Sequence, residues 1–197
     1  LATIGEIDLV ESLGIKGNHC LHSHPIKKDK EIMRALEFGC NRMVVDNIEE
    51  MKKFIPYAGQ VELIIRVGFR SKQAVVDLSR KFGCALEELP ILISLAKDYG
   101  INVVGLSFHV GSQSLSSMTQ ANAIRSSIAA MKLMKDVNWK FLDIGGSFPI
   151  SYQEEVLSIS DFCTPVMEAL SELPEGIEVF AEPGRFISAP SMIEVVS

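Results

Sequence analysis

The stretch that decides the fold is residues 103–112, which reads VVGLSFHVGS. It begins as a run of mostly apolar residues without polar alternation, which is typical of a strand buried on both faces. It ends on a histidine, a glycine and a serine, which are residue types that bind ligands at the ends of strands. The stretch therefore predicts a parallel strand that delivers polar side chains at its carboxyl end.

Similar apolar runs recur along the chain and alternate with amphipathic stretches, the pattern of a parallel sheet with crossover helices. Asn47 and Ser160 are predicted to begin two of the helices, and Gly14, Gly39 and Gly100 to follow helix ends. The predicted strands are residues 20–24, 42–46, 61–67, 103–110, 140–144 and 177–181. The predicted helices are residues 6–13, 29–38, 48–54, 87–99, 119–135 and 160–172.

Two α/β architectures are compatible with this order of elements. An open doubly wound sheet can stop at six strands, whereas a (β/α)₈ barrel needs eight strands and usually about 250 residues. Polar residues gather at the carboxyl ends of at least three predicted strands, where a barrel builds its active site. We therefore predict an α/β chain with the (β/α)₈ barrel fold, lacking the first two strands.

Composition excludes several classes of function. The net charge of −6 and the scattered lysines and arginines argue against a nucleic-acid partner. No apolar run approaches the roughly 20 residues that a membrane-spanning helix needs. The four cysteines form no metal-binding or redox pair in the sequence. We expect a cytoplasmic protein.

Residues 142–149, LDIGGSFP, leave a predicted strand through two glycines. Without a Cβ, Gly145 and Gly146 allow backbone N–H groups to approach an anion closely, which suits a phosphate group. The alternative is a tight turn that needs glycine for its backbone angles alone.

Residues 182–185 place a carboxylate and a guanidinium on either side of a Pro-Gly turn. Arg185 can hold a phosphate through its planar fork, whereas Glu182 needs a cationic partner in a buried mouth. The alternative is a structural ion pair of Glu182 with Arg185 or Arg66.

His109 ends its strand close to Ser112, and its flat ring is suited to stacking on a flat cofactor. The alternative is a core histidine bonded to a carbonyl group. A different constellation, His22 and His24 with His109 and Asp143, resembles the metal site of hydrolase barrels. Such sites usually take more histidines from later strands, and the sequence has none after His109.

Read together, SFHVGS at 107–112, LDIGGSFP at 142–149 and AEPGR at 181–185 resemble the signature motifs of the fold-type III pyridoxal-phosphate decarboxylases. Within that family the segments around His109 and Pro149 are closer to the ornithine/lysine/arginine branch, and closest to the bacterial ornithine/lysine decarboxylases. The resemblance implies decarboxylation of ornithine or lysine to a diamine in polyamine biosynthesis.

The resemblance also implies a role for each matching residue. His109 stacks on the ring of pyridoxal 5'-phosphate, Glu182 faces the ring nitrogen, and Arg66 is a further catalytic residue. No metal is expected. The residues expected to bind the phosphate group are Ser112, Gly145, Gly146, Ser147, Gly184 and Arg185. Ser147 departs from the family, which usually has a third glycine there.

The resemblance implies that residues 1–190 form the cofactor-binding barrel and that residues 191–197 begin the connection to a C-terminal β-domain not present here. The lysine that forms the Schiff base precedes Leu1 in the family, so this chain alone is expected to be inactive. A homodimer with shared active sites is expected. The alternatives are a diaminopimelate or arginine decarboxylase, a non-catalytic binder similar to antizyme inhibitors, and a metal-dependent hydrolase using His22 and His24.

Overall fold

A computed structural model describes residues 1–69, 74–76, 81–152 and 155–191. The chain divides into two compact units. Unit 1 consists of Leu1–Val67, Phe82–Leu106 and Asp136–Trp139, and unit 2 consists of Gly68–Lys81, Ser107–Lys135 and Lys140–Ser197.

Unit 1 begins with helix α1, and its helices are set by local capping groups. Thr3 caps α1 by accepting a hydrogen bond from the Glu6 amide, and Asn47 caps α3 in the same way from the Glu50 amide. Gly39 ends α2 in the left-handed region at φ +86°. The elements of unit 1 are α1 (Ile4–Ser12), α2 (Asp29–Phe38), β1 (Arg42–Val45), α3 (Ile48–Lys52), β2 (Glu62–Val67) and α4 (Leu89–Asp98).

The core of unit 1 is built around parallel strands. Strand β1 pairs in parallel with β2, with Arg42 opposite Glu62. His22 forms an isolated parallel bridge with Met43 on the other side of β1. The next strand, β4 (Asn102–Phe108), follows β2 in the order of the sheet. Most of β1 and β2 is fully buried, as expected for strands covered on both faces.

Strand β4 belongs to unit 1 up to Leu106 and to unit 2 from Ser107 onward. Within unit 2, β6 and β7 follow β4 in the sheet, and β6 pairs in parallel with β7. Strands β3 and β5 form a separate antiparallel pair. The elements of unit 2 are β3 (Ala74–Val76), β5 (Ser112–Ser114), α5 (Ser117–Leu133), β6 (Phe141–Asp143), α6 (Ile159–Leu170), β7 (Glu178–Phe180) and α7 (Gly184–Ser188).

The observed elements confirm the predicted alternation of strands and helices, with shifts of a few residues at most ends. Two local predictions are wrong. Residues 20–24 form a single bridge at His22 instead of a strand, and α6 is capped by Ser158 instead of Ser160. Ser158 is the N-cap because its hydroxyl accepts a hydrogen bond from the Asp161 amide, a donor of the first turn that has no partner within the helix.

The sequence pattern did not predict β3, β5 or α7, which are only three to five residues long. The predicted start of a connection at 191–197 lies outside the described residues from 192 onward. Among the described helices, none has the length and apolar character needed to cross a membrane.

Candidate active site

The two glycines after β6 are required by close backbone packing. Gly145 has φ +66°, and a Cβ on it would collide with the carbonyl oxygen of Phe108. A Cβ on Gly146 would lie 2.7 Å from the carbonyl oxygen of Glu182 and 3.2 Å from Nε2 of His109. Both positions therefore need glycine whether or not a phosphate group binds there, and they bring the loop against the ends of β4 and β7.

Asp143 ends β6 as a fully buried carboxyl group. Its Oδ2 accepts a hydrogen bond from the Ser107 hydroxyl at 2.8 Å, and its Oδ1 accepts one from the Gly145 amide at 2.9 Å. Burial, followed by the charge of the neighbouring Glu182 carboxylate and a hydrogen bond with it, raises the pKa of Asp143 from 3.8 to about 8. The two hydrogen bonds act in the opposite sense and are outweighed.

Glu182 follows β7, and its backbone holds the glycine loop in place. Its amide donates to the carbonyl of Gly145 at 2.8 Å, and its carbonyl accepts from the Gly184 amide at 2.8 Å. Glu182 is exposed, whereas the neighbouring Asp143 is buried. The pair therefore joins an exposed carboxylate to a buried carboxyl group that resists ionisation.

His109 lies half-buried just beyond the end of β4. Its Nδ1 accepts a hydrogen bond from the Gly111 amide at 3.0 Å, so in the neutral ring the hydrogen is on Nε2. The Ser147 hydroxyl lies 3.4 Å from the same Nδ1. Ser147 itself is buried and has φ +81°, a conformation that is unusual for a residue with a side chain.

Arg185 is held by two hydroxyl groups. Its Nε donates to the Ser112 hydroxyl and its Nη1 donates to the Tyr152 hydroxyl, both at 2.9 Å. Hydroxyl acceptors leave the charge of the guanidinium unneutralised at these two contacts. Arg185, Ser112 and Tyr152 thus form an exposed cationic group of hydrogen-bonding side chains.

Arg66, the remaining predicted site residue, lies on β2 in unit 1. Its guanidinium stands over the ring of Phe82, 5.2 Å from the centroid, in a cation–π contact. Its role at the site stays a prediction, as do the roles of the other predicted residues toward a ligand.

The two histidines of the metal alternative have unlike surroundings within unit 1. His22 is fully buried, and burial lowers its pKa to about 4. The Nδ1 of His24 lies 2.7 Å from the Ile26 carbonyl oxygen, which accepts a hydrogen bond from the ring in the tautomer with hydrogen on Nδ1, and the ring packs edge-on against Phe82. Across residues 1–69, 74–76, 81–152 and 155–191, no group of three His, Cys, Asp or Glu side chains is arranged to hold a metal ion.

Sequence reasoning gave Asp143 a role only in the alternative metal site, and it did not name Tyr152. Asp143 is a lone carboxylate within the otherwise apolar FLDI segment, and a charged residue at a fully buried strand position is the signal that could have singled it out. Tyr152 carries no such signal, because it lies in an irregular segment after the glycine loop and reaches Arg185 only through the fold.

The donors and acceptors of unit 2 fit pyridoxal 5'-phosphate. Arg185 with its two hydroxyl partners provides the charge and hydrogen bonds that a phosphate dianion requires. Glu182 provides a carboxylate for a protonated ring nitrogen, and the half-buried ring of His109 provides an apolar face with a fixed tautomer. The three kinds of group lie in one unit.

Comparison with known proteins gives a consistent result. Residues 1–189 match the family described as pyridoxal-dependent decarboxylase, pyridoxal binding domain. The chain is 28% identical to the lysine/ornithine decarboxylase of Selenomonas ruminantium over all of this chain and 51% of that protein. It is also 28% identical to antizyme inhibitor 2 of Xenopus laevis over 93% of this chain and 41% of that protein.

A solved structure of lysine/ornithine decarboxylase from Vibrio vulnificus, complexed with cadaverine, is 44% identical and superposes with a TM-score of 0.89. The match covers 97% of this chain and 50% of that chain. The chain thus spans about half the length of the relatives it matches. These likenesses confirm the α/β fold class, the family and the pyridoxal cofactor predicted from the sequence.

Proposed function

Because this chain belongs to the pyridoxal-dependent decarboxylase family, of which it matches the pyridoxal binding domain, we propose that the protein decarboxylates a basic amino acid, lysine or ornithine, to the corresponding diamine. The similarity to a lysine/ornithine decarboxylase whose structure contains cadaverine supports this substrate class. The product places the protein in polyamine biosynthesis.

The observation that carries the proposal is the carboxylate of Glu182 beside the buried carboxyl group of Asp143. A carboxylate opposite a pyridine nitrogen favours the protonated nitrogen. When bound, pyridoxal phosphate supplies an electron-accepting ring that stabilises the electron pair left by the departing carboxylate of the substrate. Alanine racemases, which share the barrel, place an arginine at this position, so Glu182 favours decarboxylation.

The other residues bind and orient the cofactor. Arg185, Ser112, the Gly146 amide and the Ser147 hydroxyl bind the phosphate group. Gly145 and Gly184, whose amides are bonded to Asp143 and to the Glu182 carbonyl, line the same site without a Cβ. Gly111 and Ser147 hold the ring of His109 through Nδ1, so that its face is presented to the cofactor ring. Arg66 is proposed as a further residue of the same site.

Three alternatives make different demands on the protein. An arginine or diaminopimelate decarboxylase would use the same site with another substrate. A binding protein similar to antizyme inhibitor 2 is supported by the match to that relative, but its function does not require the cofactor residues that this chain retains. A metal-dependent hydrolase would need His22 and His24 as ligands, and His22 is buried.

We further propose that the enzyme is cytoplasmic, acts as a homodimer with shared active sites, and binds neither nucleic acid nor membrane. The negative net charge supports the absence of a nucleic-acid partner. The dimer follows from the family alone and is tested by measuring the mass of the full-length protein in solution.

The test is the release of carboxyl-labelled CO₂ from lysine, ornithine, arginine and diaminopimelate by the full-length protein loaded with pyridoxal phosphate. We expect release from lysine or ornithine together with the matching diamine. Release from arginine or diaminopimelate alone would replace the substrate. No release from any of the four, by protein that binds the cofactor, would support the binding-protein alternative and contradict the proposal.

A further inference from the structure

Asp143 has a chemical environment that the roles proposed above do not explain. It is 0% exposed, at the end of a strand whose other residues are apolar. Its hydrogen-bond donors are the Ser107 hydroxyl from β4 and the Gly145 amide from the glycine loop. The charged group that acts on it most strongly is the carboxylate of Glu182, which follows β7.

Two carboxylates in contact cannot both ionise cheaply when one of them is buried. The cost falls on Asp143, because its side chain is removed from water and Glu182 is exposed. Burial, followed by the charge of Glu182 and a hydrogen bond with it, raises the pKa of Asp143 to about 8. At neutral pH the pair therefore carries one proton, and that proton is on Asp143.

A neutral carboxylic acid has a hydrogen to donate, which a carboxylate lacks. The amide of Gly145 and the hydroxyl of Ser107 fix the plane of the Asp143 carboxyl group from two different elements. These two hydrogen bonds, and not contacts with solvent, therefore set the orientation of its O–H bond. A donor of this kind orients its acceptor and favours the charged form of that acceptor.

We propose that Asp143 is a positioning residue that donates a hydrogen bond to the Glu182 carboxylate and so orients it toward the ring nitrogen of the cofactor. The inference rests on the proposed function, in which Glu182 faces that nitrogen. Asp143 touches neither cofactor nor substrate in this scheme and acts only through Glu182.

The first test reads the proton directly. Infrared spectra of the full-length protein with isotope-labelled aspartate are expected to show the carbonyl stretch of a protonated acid at pH 7. The band is expected to disappear in Asp143→Asn and to persist in Asp161→Asn, a control in which an exposed helix-capping carboxylate is replaced. In Glu182→Gln the band should titrate at lower pH, because the neighbouring charge is gone. Absence of a protonated aspartate in the wild-type protein at pH 7 would overturn the inference.

The second test separates positioning from a merely structural role. The affinity of the full-length apoprotein for pyridoxal phosphate is expected to depend on pH near 8, where Asp143 loses its proton, and Asp143→Asn should remove that dependence. The asparagine amide donates in place of the acid, so affinity at pH 7 should stay within a few-fold. Asp143→Leu has no donor and is expected to bind the cofactor roughly 10- to 100-fold more weakly.

Asp143→Leu that binds as tightly as Asp143→Asn would contradict the inference, and so would an unchanged dependence on pH in Asp143→Asn. If Asp143→Leu does not fold, the infrared band and the behaviour of the asparagine variant still decide the question. The proposed function can fail separately. A protein that shows the infrared band but releases no CO₂ would support the protonated Asp143 beside Glu182 and contradict the decarboxylase activity.

Discussion

Unit 1 and unit 2 each bury an ionisable side chain, and they offset the cost of burial by opposite means. In unit 1, the ammonium group of Lys27 donates to the carbonyls of His24, Pro25 and Val44 and lies 3.7 Å from the Glu50 carboxylate. In unit 2, the buried Asp143 has the carboxylate of Glu182 as its neighbour, and it avoids a second buried charge by staying protonated.

The pKa of each group is about 8: burial, opposed by Glu50, lowers that of Lys27, and burial together with the charge of Glu182 raises that of Asp143. Both hold a proton at neutral pH, so the lysine is charged and the aspartic acid is neutral. The difference lies in the surroundings: carbonyl oxygens and Glu50 stabilise a cation, whereas Glu182 excludes a second anion. A buried charge with hydrogen-bond acceptors and a counter-charge around it indicates a structural role. A buried acid that keeps its proton beside an exposed carboxylate indicates a functional role.

The largest effect is expected from breaking the cluster in unit 1. Lys27→Met leaves three carbonyl acceptors without this donor and removes one of the two lysine side chains that contact the buried Glu50 in the described part of the chain, the other being Lys53. We expect a loss of about 3 kcal/mol or more in the free energy of unfolding, measured by urea denaturation. Lys52→Met, which removes an exposed pair with Glu49, is the matched control and should change little. Equal stability of the two variants would show that the buried cluster contributes nothing.

The buried acid Asp143 in unit 2 predicts that the stability of the protein depends on pH. The pKa of Asp143 rises from 3.8 to about 8 on folding, mainly through burial, so the folded state binds more protons between these values. Stability should therefore fall as pH rises from about 4 to about 8, by up to about 1.4 kcal/mol per pH unit from this residue. Asp143→Asn should flatten that decline in unfolding curves recorded across the range. A variant with the same slope as the wild type would contradict the assignment.

His22 sharpens the comparison, because neither ring nitrogen has a hydrogen-bond partner in the described part of the chain. Burial, followed by the charge of Lys27, lowers its pKa from 6.5 to about 4. Stability is thus lost as pH falls below about 6.5. We compare the free energy of unfolding of His22→Phe with that of the wild type at pH 5 and at pH 7.5. The difference between the two proteins should shift in favour of the variant by about 2 kcal/mol at the lower pH. The exposed His19, replaced by Phe, should give no such gain.

The smallest effect is expected at Ser147. Its φ of +81° is unfavourable for a residue with a Cβ, so Ser147→Gly should stabilise the protein by about 0.5–1 kcal/mol. Ser147→Ala keeps the strain and loses the hydroxyl near His109, and should be no more stable than the wild type. Thermal unfolding of the two variants separates strain from hydrogen bonding. Alanine and glycine variants of equal stability would remove the argument for strain.

Much of the fold could be predicted because the long elements have strong periodic patterns. Helix α2 has the predicted bounds of Asp29–Phe38, and Gly39 ends it as expected. The short strands β3 and β5 could not be predicted, because their pairing depends on distant residues and three residues have no periodicity. The strand expected near His22 reduces to one bridge for a related reason, since local propensity does not decide pairing.

At the site, chain motifs predicted the residue types better than the contacts. Glycine at 145 and 146 suggested a phosphate site, whereas the structure shows that packing against Phe108 and Glu182 already requires it. The contact of Asp143 with Ser107 joins residues 36 positions apart, and that of Arg185 with Tyr152 joins residues 33 apart. Such contacts exist only after the strands have been ordered in the sheet.

The most direct test of the decarboxylase assignment compares Glu182→Gln with Glu178→Gln in the full-length protein loaded with pyridoxal phosphate. Glu178 is an exposed carboxylate on β7, the strand that Glu182 follows, and serves as the control. The rate of CO₂ release from lysine and ornithine should fall roughly 100-fold or more in Glu182→Gln, since a group that stabilises developing charge is removed, and should stay unchanged in Glu178→Gln. Equal rates in the two variants would contradict the role of Glu182 and with it the proposed chemistry.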